Sequence, residues 1–275
     1  MHVAYGVDAM RTKHGPALSQ PSRYFVNSIA KAFQVLETFS TTNDRLTLTE
    51  LSERSLRNKA TVRRIALTLC DLGYLRVDAD RRFLLTPKVL DLGARFLQAL
   101  SLPEVAEPFI TELSERTHES ANLAIRDGAE VLYVVRVSAA KRIMAVNLHV
   151  GSRLPAHATS LGKALLLGAT RQTLLSILGE PPWPQFTGST RTDPDLLLAD
   201  LEEARSLGCT LADGELEVGL RSIAAPVWDA SGVIVAAINI STHSLRVPLD
   251  QLLGPMRQDL LQTAASVSAA LGYRP

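Results

Sequence analysis

Residues 47–85 read TLTELSERSLRNKATVRRIALTLCDLGYLRVDADRRFLL, and their patterning decides the architecture of the N-terminal part of the chain. Thr47 and Glu50 stand at capping-box spacing, where a Thr hydroxyl and a Glu three residues on satisfy each other's backbone N–H. Leu48 and Leu51 give the short helix that follows its apolar side. A polar turn at 55–58 leads to a helix from about Lys59 to Asp71, with Val62, Ile65, Ala66 and Leu69 on its inner face. Gly73 stops it. The runs 74–77 and 82–85 then alternate and favour strand, with Asp78-Ala79-Asp80-Arg81 as the turn between them. Upstream, Asn27-Ser28 is an N-cap candidate, and Ile29, Phe33, Leu36 and Phe39 fit one helical face. Three helices and a two-stranded wing make a winged helix-turn-helix.

Charge is spread unevenly. The chain carries +1 overall, yet Arg45 to Lys88 holds ten Lys/Arg against five Asp/Glu. A basic module attached to a more acidic remainder suits contact with a polyanion. In this motif the helix after the turn enters the major groove and offers its N-terminal residues to base edges. The candidates are Asn58, Lys59, Thr61, Arg63 and Arg64, joined at the wing tip by Arg81 and Arg82. Arg suits guanine, Asn suits adenine, and Lys and Thr hold phosphate. A merely solvated face needs no clustering of five basic residues between Arg54 and Arg64.

The remainder divides by pattern. Residues 1–22 mix Gly, Pro, Ser and His without periodicity and read as a disordered arm before the 23–85 DNA-binding domain. Residues 86–101 read as a linker helix, started by Thr86-Pro87, whose stripe of Val89, Leu92, Phe96, Leu97 and Leu100 is a candidate dimer contact. From 102 to 275 strands and helices mix. A helix with Val105, Phe109 and Leu113 precedes strands at 121–126 and 130–137 joined by Asp127-Gly128, and a strand at 142–150 follows. Helices are expected at 160–168, 172–178 and from Asp193-Pro194 to about Leu207. Strands at 222–228 and 233–241 and a long helix from Pro248 to Leu271 close the chain. The fold class is α+β, with helices against an antiparallel sheet. No run of about 18 apolar residues exists to span a membrane, no signal peptide is apparent, and Cys70 and Cys209 sit in apolar contexts, so a cytoplasmic location is expected.

Three segments resemble the IclR family of bacterial regulators: KATVRRIALTLCDLGYLR at 59–76, GSRLPAHATSLGKALL at 151–166, and GELEVGLRSIAAPVWDASGVIVAAINIS at 214–241. The longer run RIMAVNLHVGSRLPAHATSLGKALL, from 142, is similar to the subgroup governing aromatic-acid catabolism through the β-ketoadipate pathway, the protocatechuate and 4-hydroxybenzoate regulators. The resemblance implies a winged helix-turn-helix, a linker helix and a GAF-like effector domain. It also implies a homodimer or homotetramer that binds an operator in double-stranded DNA under the control of a small organic acid, 4-hydroxybenzoate and protocatechuate being candidates. An aliphatic acid from another carbon-source pathway is the alternative. Family members carry Gly-Leu before the recognition helix where Leu56-Arg57 stand here, so a differently shaped turn is expected.

Carried over by motif, the effector pocket falls to Ile143, Val146, Leu154, Ser160, Leu161, Ala212, Leu220, Ser222, Asn239 and Ser241. The aliphatic members suit a ring or short chain, and the hydroxyls and the amide suit a carboxylate or phenol. N–H groups at the start of the Ser160 helix would favour an anion. Arg136, Arg142, Arg153, His149 and His157 are candidates for the counter-charge. The rival reading is a small-molecule enzyme fused to a DNA-binding module, but catalysis is not expected. His157 and Ser160 lack a nucleophile elbow and a third partner, and Asp213, Glu215 and Glu217 read as a solvated acidic cluster. No phosphate-binding glycine motif is present, so no cofactor is expected, and the spacing of His149, His157 and Cys209 supports no metal site.

Overall fold

The computed structural model describes residues 24–40, 44–92, 102–139 and 148–274. The chain divides into two compact units, Met1–Ala99 and Leu100–Pro275.

The first unit is built on three helices, α1 (Asn27–Leu36), α2 (Leu48–Ser55) and α3 (Lys59–Asp71), and a hairpin of β1 (Leu75–Val77) and β2 (Phe83–Leu85). The capping box at α2 is complete: the Thr47 hydroxyl accepts from the Glu50 N–H at 3.3 Å, and the Glu50 carboxylate accepts from the Thr47 N–H at 2.7 Å. That backbone bond, then the Thr47 hydroxyl, holds the Glu50 carboxyl below its ordinary pKa. Asn58 caps α3 by accepting from the Thr61 N–H at 2.8 Å. Val35, Leu46, Leu51, Val62, Ala66, Leu69, Leu75 and Phe83 form the core. Leu46 exchanges both backbone hydrogen bonds with Phe83, adding a third extended segment to the wing that alternation alone did not reveal.

Two expectations fail at α1. Val26 holds the N-cap position without a side-chain bond, so Asn27 and Ser28 lie inside the first turn. Val35 is its buried residue, while Ile29 and Phe33 are 56% and 52% exposed; Phe39 lies beyond the helix end. The turn after α2 also differs from the reading. Leu56 adopts the left-handed conformation itself, at φ 54° and ψ 39°, so the turn keeps its shape without a glycine. Residues 88–92 are helical, and Thr86 donates to the Gly73 carbonyl at 2.5 Å while Lys88 donates to that of Leu72 at 2.8 Å. The rest of the expected linker stripe, Phe96, Leu97 and Leu100, lies outside the described residues.

The second unit opens with α4 (Leu102–Thr117) and the strand pair β3 (Ser120–Asp127) and β4 (Glu130–Val137). Then come β5 (Arg153–Pro155), α5 (Ser160–Leu165), α6 (Arg171–Leu178), α7 (Pro194–Leu207), β6 (Thr210–Asp213), β7 (Leu220–Trp228), β8 (Ile234–His243) and α8 (Arg257–Ala270). The strands form one sheet in the order β5-β4-β3-β8-β7-β6, with every neighbouring pair antiparallel. Alternation assigns its two faces. Ala121, Leu123, Ile223, Ile238 and Ile240 share one face, and α4 and α8 pack with the sheet and with each other. Ala124, Ala224 and Ala237 share the other, under Leu161 and Ala164 of α5. Small side chains there let α5 approach closely. Gly162 is the tightest point: a Cβ on it would lie 2.1 Å from the Ala156 carbonyl oxygen.

The short strands β5 and β6 were absent from the sequence reading, and the strand expected at 142–150 falls mostly on residues outside those described. The expected long C-terminal helix is broken. Its first turn (Leu249–Gln251) runs into a π-type segment (Leu252–Met256) with non-helical dihedrals at Gly254, and α8 starts afresh after Pro255.

Candidate functional site

In the first unit, Lys59, Arg63 and Arg64 stand exposed on α3, which turns Val62 and Ala66 inward. None of the three side chains is hydrogen-bonded or ion-paired among the described residues. Arg81 is exposed at the wing tip in a left-handed conformation, φ 59°. The other candidates have local tasks: the oxygen of Asn58 caps α3, the N–H of Thr61 receives that cap, and Arg82 lies 3.7 Å from the Glu50 carboxylate. Arg57, in the turn, donates to Gln34 at 2.9 and 3.1 Å and so ties the turn to α1. The arrangement is a stripe of open cations on one helix with one more on the wing, which suits a phosphate backbone.

In the second unit a cavity of about 370 Å³ lies on the sheet face that carries α5. Its floor follows from strand register. Ser120, Ser241, Ser222 and Ala212 stand opposite one another across β3, β8, β7 and β6, so their side chains share this face. Two residues along, Arg136, Asn122 and Asn239 form a second row across β4, β3 and β8. Tyr133, Leu148, Leu154, Leu216 and Leu220 make the walls apolar. Thr159 and Ser160 enter from the start of α5, and the Ser160 hydroxyl donates to that of Ser222 at 2.8 Å.

Of the expected pocket residues, Leu154, Ser160, Ala212, Leu220, Ser222, Asn239 and Ser241 line this cavity. Leu161 is fully buried in the core behind it and does not line it, because it follows Ser160 on the helix and turns toward the sheet alanines. Ile143, Val146 and Arg142 lie outside the described residues. The anion site expected at the start of α5 is a weak one. The helix has six residues, and the Thr159 hydroxyl already accepts from the Gly162 N–H at 3.1 Å.

The charge candidates separate cleanly. Arg136 lines the cavity, and burial lowers its pKa from the ordinary arginine value. Arg153 pairs with Asp127 at 2.5 Å and Glu130 at 3.4 Å on the surface. His149 is exposed and bonded to the Val150 carbonyl. His157 is packed against the rings of Trp183 and Phe186 and donates to the Pro184 carbonyl at 2.9 Å. Burial holds its pKa below 6.5, the ring's ordinary value. Arg246, not anticipated from sequence, also lines the cavity.

The acidic cluster is not uniformly solvated, since Asp213 and Glu217 are half-buried and Glu215 is buried. Glu215 is 4% exposed and binds Lys163, itself fully buried, at 2.5 Å. The Lys163 ammonium also donates to Asp200 at 2.6 Å and to the Leu211 carbonyl at 3.2 Å. Burial raises the Glu215 pKa. Burial also opposes ionisation of Asp200, but Arg191 and Lys163 outweigh it and hold its carboxyl low. Asp213 is clamped by Arg221 at 2.8 and 2.9 Å. Only tertiary packing creates this network, which pins α5 and α7 to the turn after β6. Among the described residues no group of His, Cys, Asp and Glu is placed to hold a metal ion, and no helix is long and apolar enough to cross a membrane.

The IclR helix-turn-helix domain model matches residues 28–79, and the model of the bacterial transcriptional regulator IclR C-terminal domain matches residues 94–269. The chain belongs to the IclR family. It is therefore a DNA-binding transcriptional regulator, and the alternative of an enzyme fused to a DNA-binding module falls away. Among IclR relatives, the Pca regulon regulatory protein of Pseudomonas putida is 40% identical over 228 residues, covering 83% of this chain and 78% of its own length. The p-hydroxybenzoate hydroxylase transcriptional activator of Acinetobacter baylyi is 33% identical, covering 85% of this chain and 89% of its own. A crystal structure of an IclR homologue from Microbacterium hydrocarbonoxydans, complexed with 4-hydroxybenzoate, superposes with a TM-score of 0.77 at 28% identity, covering 89% of this chain and 98% of that one.

Proposed function

We propose that this IclR regulator controls aromatic-acid catabolism genes and that its effector is a small aromatic acid, such as 4-hydroxybenzoate or protocatechuate, held in the cavity on the sheet. One observation carries the reading: leucine and tyrosine walls enclose about 370 Å³ over a floor of serines and asparagine, with Arg136 and Arg246 in the lining. Apolar walls with a few convergent polar groups suit a ring bearing a carboxylate and a hydroxyl. The Pca and p-hydroxybenzoate relatives and the 4-hydroxybenzoate complex support the same class of ligand.

On the DNA side, Lys59, Arg63, Arg64 and Arg81 engage the operator directly, while Asn58, Thr61 and Arg82 shape the elements that present them. The regulator works in the cytoplasm as a homodimer or homotetramer, whose paired winged domains read a roughly palindromic operator. The exposed Ile29 and Phe33 of α1 offer apolar surface to a second copy.

Thermal unfolding of the full chain against 4-hydroxybenzoate, protocatechuate, β-ketoadipate, pyruvate and glyoxylate tests this. A ligand that binds the folded state alone stabilises it by about 2.7 kcal/mol at one hundred times its Kd. An upward shift with an aromatic acid, lost in Ser222→Leu, is expected. A shift with pyruvate or glyoxylate alone moves the regulator to an aliphatic-acid pathway, and no shift at all removes the aromatic assignment.

A further inference from the structure

The cavity holds two arginines, and only one of them is neutralised by a described residue. Arg246 donates to both oxygens of the buried Glu119 carboxylate and, at 3.2 Å, to the Thr242 hydroxyl. Its charge is spent on holding β8 to the start of β3. Arg136 is half-buried and makes no hydrogen bond or ion pair among the described residues. An arginine stays charged under these conditions, so the cavity carries at its β4 side a cation that no described residue compensates.

The row beside it is shaped to help. Asn122 is buried, and its NH2 donates to the side-chain oxygen of Asn239 at 2.8 Å. The Asn239 NH2 makes no hydrogen bond among the described residues and is a donor available to the cavity. Asn239 lines the cavity and lies in the register row of Arg136. Glu119, beside β4, is taken up by Arg246, and the acidic residues that line the cavity lie far from this end. Glu215 and Glu217 line the cavity from the turn between β6 and β7, and β7 is three strands from β4, about 14 Å at ordinary strand spacing. The cavity is therefore polarised, with donors and positive charge at β4 and hydroxyls and carboxylates at β7.

We propose that Arg136 is the residue that captures the effector's carboxylate, assisted by the Asn239 amide that Asn122 orients, and that it sets the cavity's selectivity for acids over their neutral analogues. The ligand class is a monocarboxylate whose second polar group, a hydroxyl, lies at the opposite end toward Ser160 and Ser222. This rests on the reading of the cavity as the effector site.

The test compares wild-type chain with Arg136→Gln by calorimetric titration and thermal unfolding, using 4-hydroxybenzoate and 4-hydroxybenzamide as probes. Wild type is expected to prefer the acid strongly. In Arg136→Gln the acid weakens about 10- to 100-fold, the range for hydrogen bonds to a charged group, while binding of the amide is unchanged. Without ligand, Arg136→Gln is expected to unfold at the same temperature as wild type or higher, because an unpaired charge has been removed. Equal acid affinity in the two proteins overturns the proposal, and so does a lower unfolding temperature for the unliganded variant, which marks a structural arginine. If wild type binds neither probe, the effector reading fails and takes acid selectivity with it. The unliganded comparison still decides whether Arg136 is an uncompensated charge.

Discussion

Leu56 is 88% exposed and holds a left-handed backbone at φ 54°. Such a conformation costs an L-residue roughly 1–2 kcal/mol, and nothing about the exposed side chain offsets it. Glycine removes the strain but gives back part of the gain as added freedom of the unfolded chain. Leu56→Gly is therefore expected to stabilise the chain by about 0.5–1 kcal/mol, read as a higher urea midpoint. An unchanged or lower midpoint means the turn is relaxed as it stands. Residues whose task is local were legible in the sequence: the Thr47–Glu50 box is complete as read, because its chemistry needs only three residues of spacing. Residues whose task is set by a distant partner were not. Lys163 and Glu215 are 52 positions apart, and nothing local marks either as buried. For the same reason the sequence offered five equal candidates for the cavity's counter-charge and omitted Arg246, which only the strand after-turn brings to the site.

At the scale of elements, α3 presents Lys59, Arg63 and Arg64 on its exposed side, and their open side chains give it one purpose that the core does not need. Arg64→Ala is expected to weaken DNA binding about 10-fold while leaving 4-hydroxybenzoate binding and the unfolding temperature unchanged. Gel-shift titration at fixed salt reads the first and thermal unfolding the others, and an unaltered affinity removes Arg64 from the interface. Periodicity located α2, α3, α6 and α7 because each has an apolar stripe and a cap. It missed β5 and β6 because three or four residues are too few to show alternation. At α1 it grouped the exposed Ile29 and Phe33 with Leu36 and Phe39, which pack on the core, and it ran through the Gly254-Pro255 break, where apolar spacing continues across a backbone that does not. The polar rows of the cavity floor leave a mark in the sequence. Ser120 and Asn122, and Asn239 and Ser241, alternate with apolar residues on strands otherwise suited to burial, which is the pattern of a lined pocket.

For the molecule as a whole, a regulator must link the effector's binding free energy to that of the operator. The linkage is reciprocal: if the acid changes operator affinity by some factor, the operator changes acid affinity by the same factor. Coupling of this kind is typically about 1–3 kcal/mol, a change of about 5- to 150-fold. It requires that the acid bind the two states of the assembly unequally, which filling a cavity floored by four strands can achieve by setting their spacing. The decisive measurement is the affinity of the full chain for a duplex it has itself selected from a random-sequence library, titrated at one salt concentration with and without saturating 4-hydroxybenzoate. A change of at least about fivefold, in either direction, is expected, and Arg136→Gln moves the acid concentration needed for it about 10- to 100-fold higher. An affinity that is the same with and without the acid, in a protein that calorimetry shows to bind it, would contradict the claim that this cavity governs DNA binding.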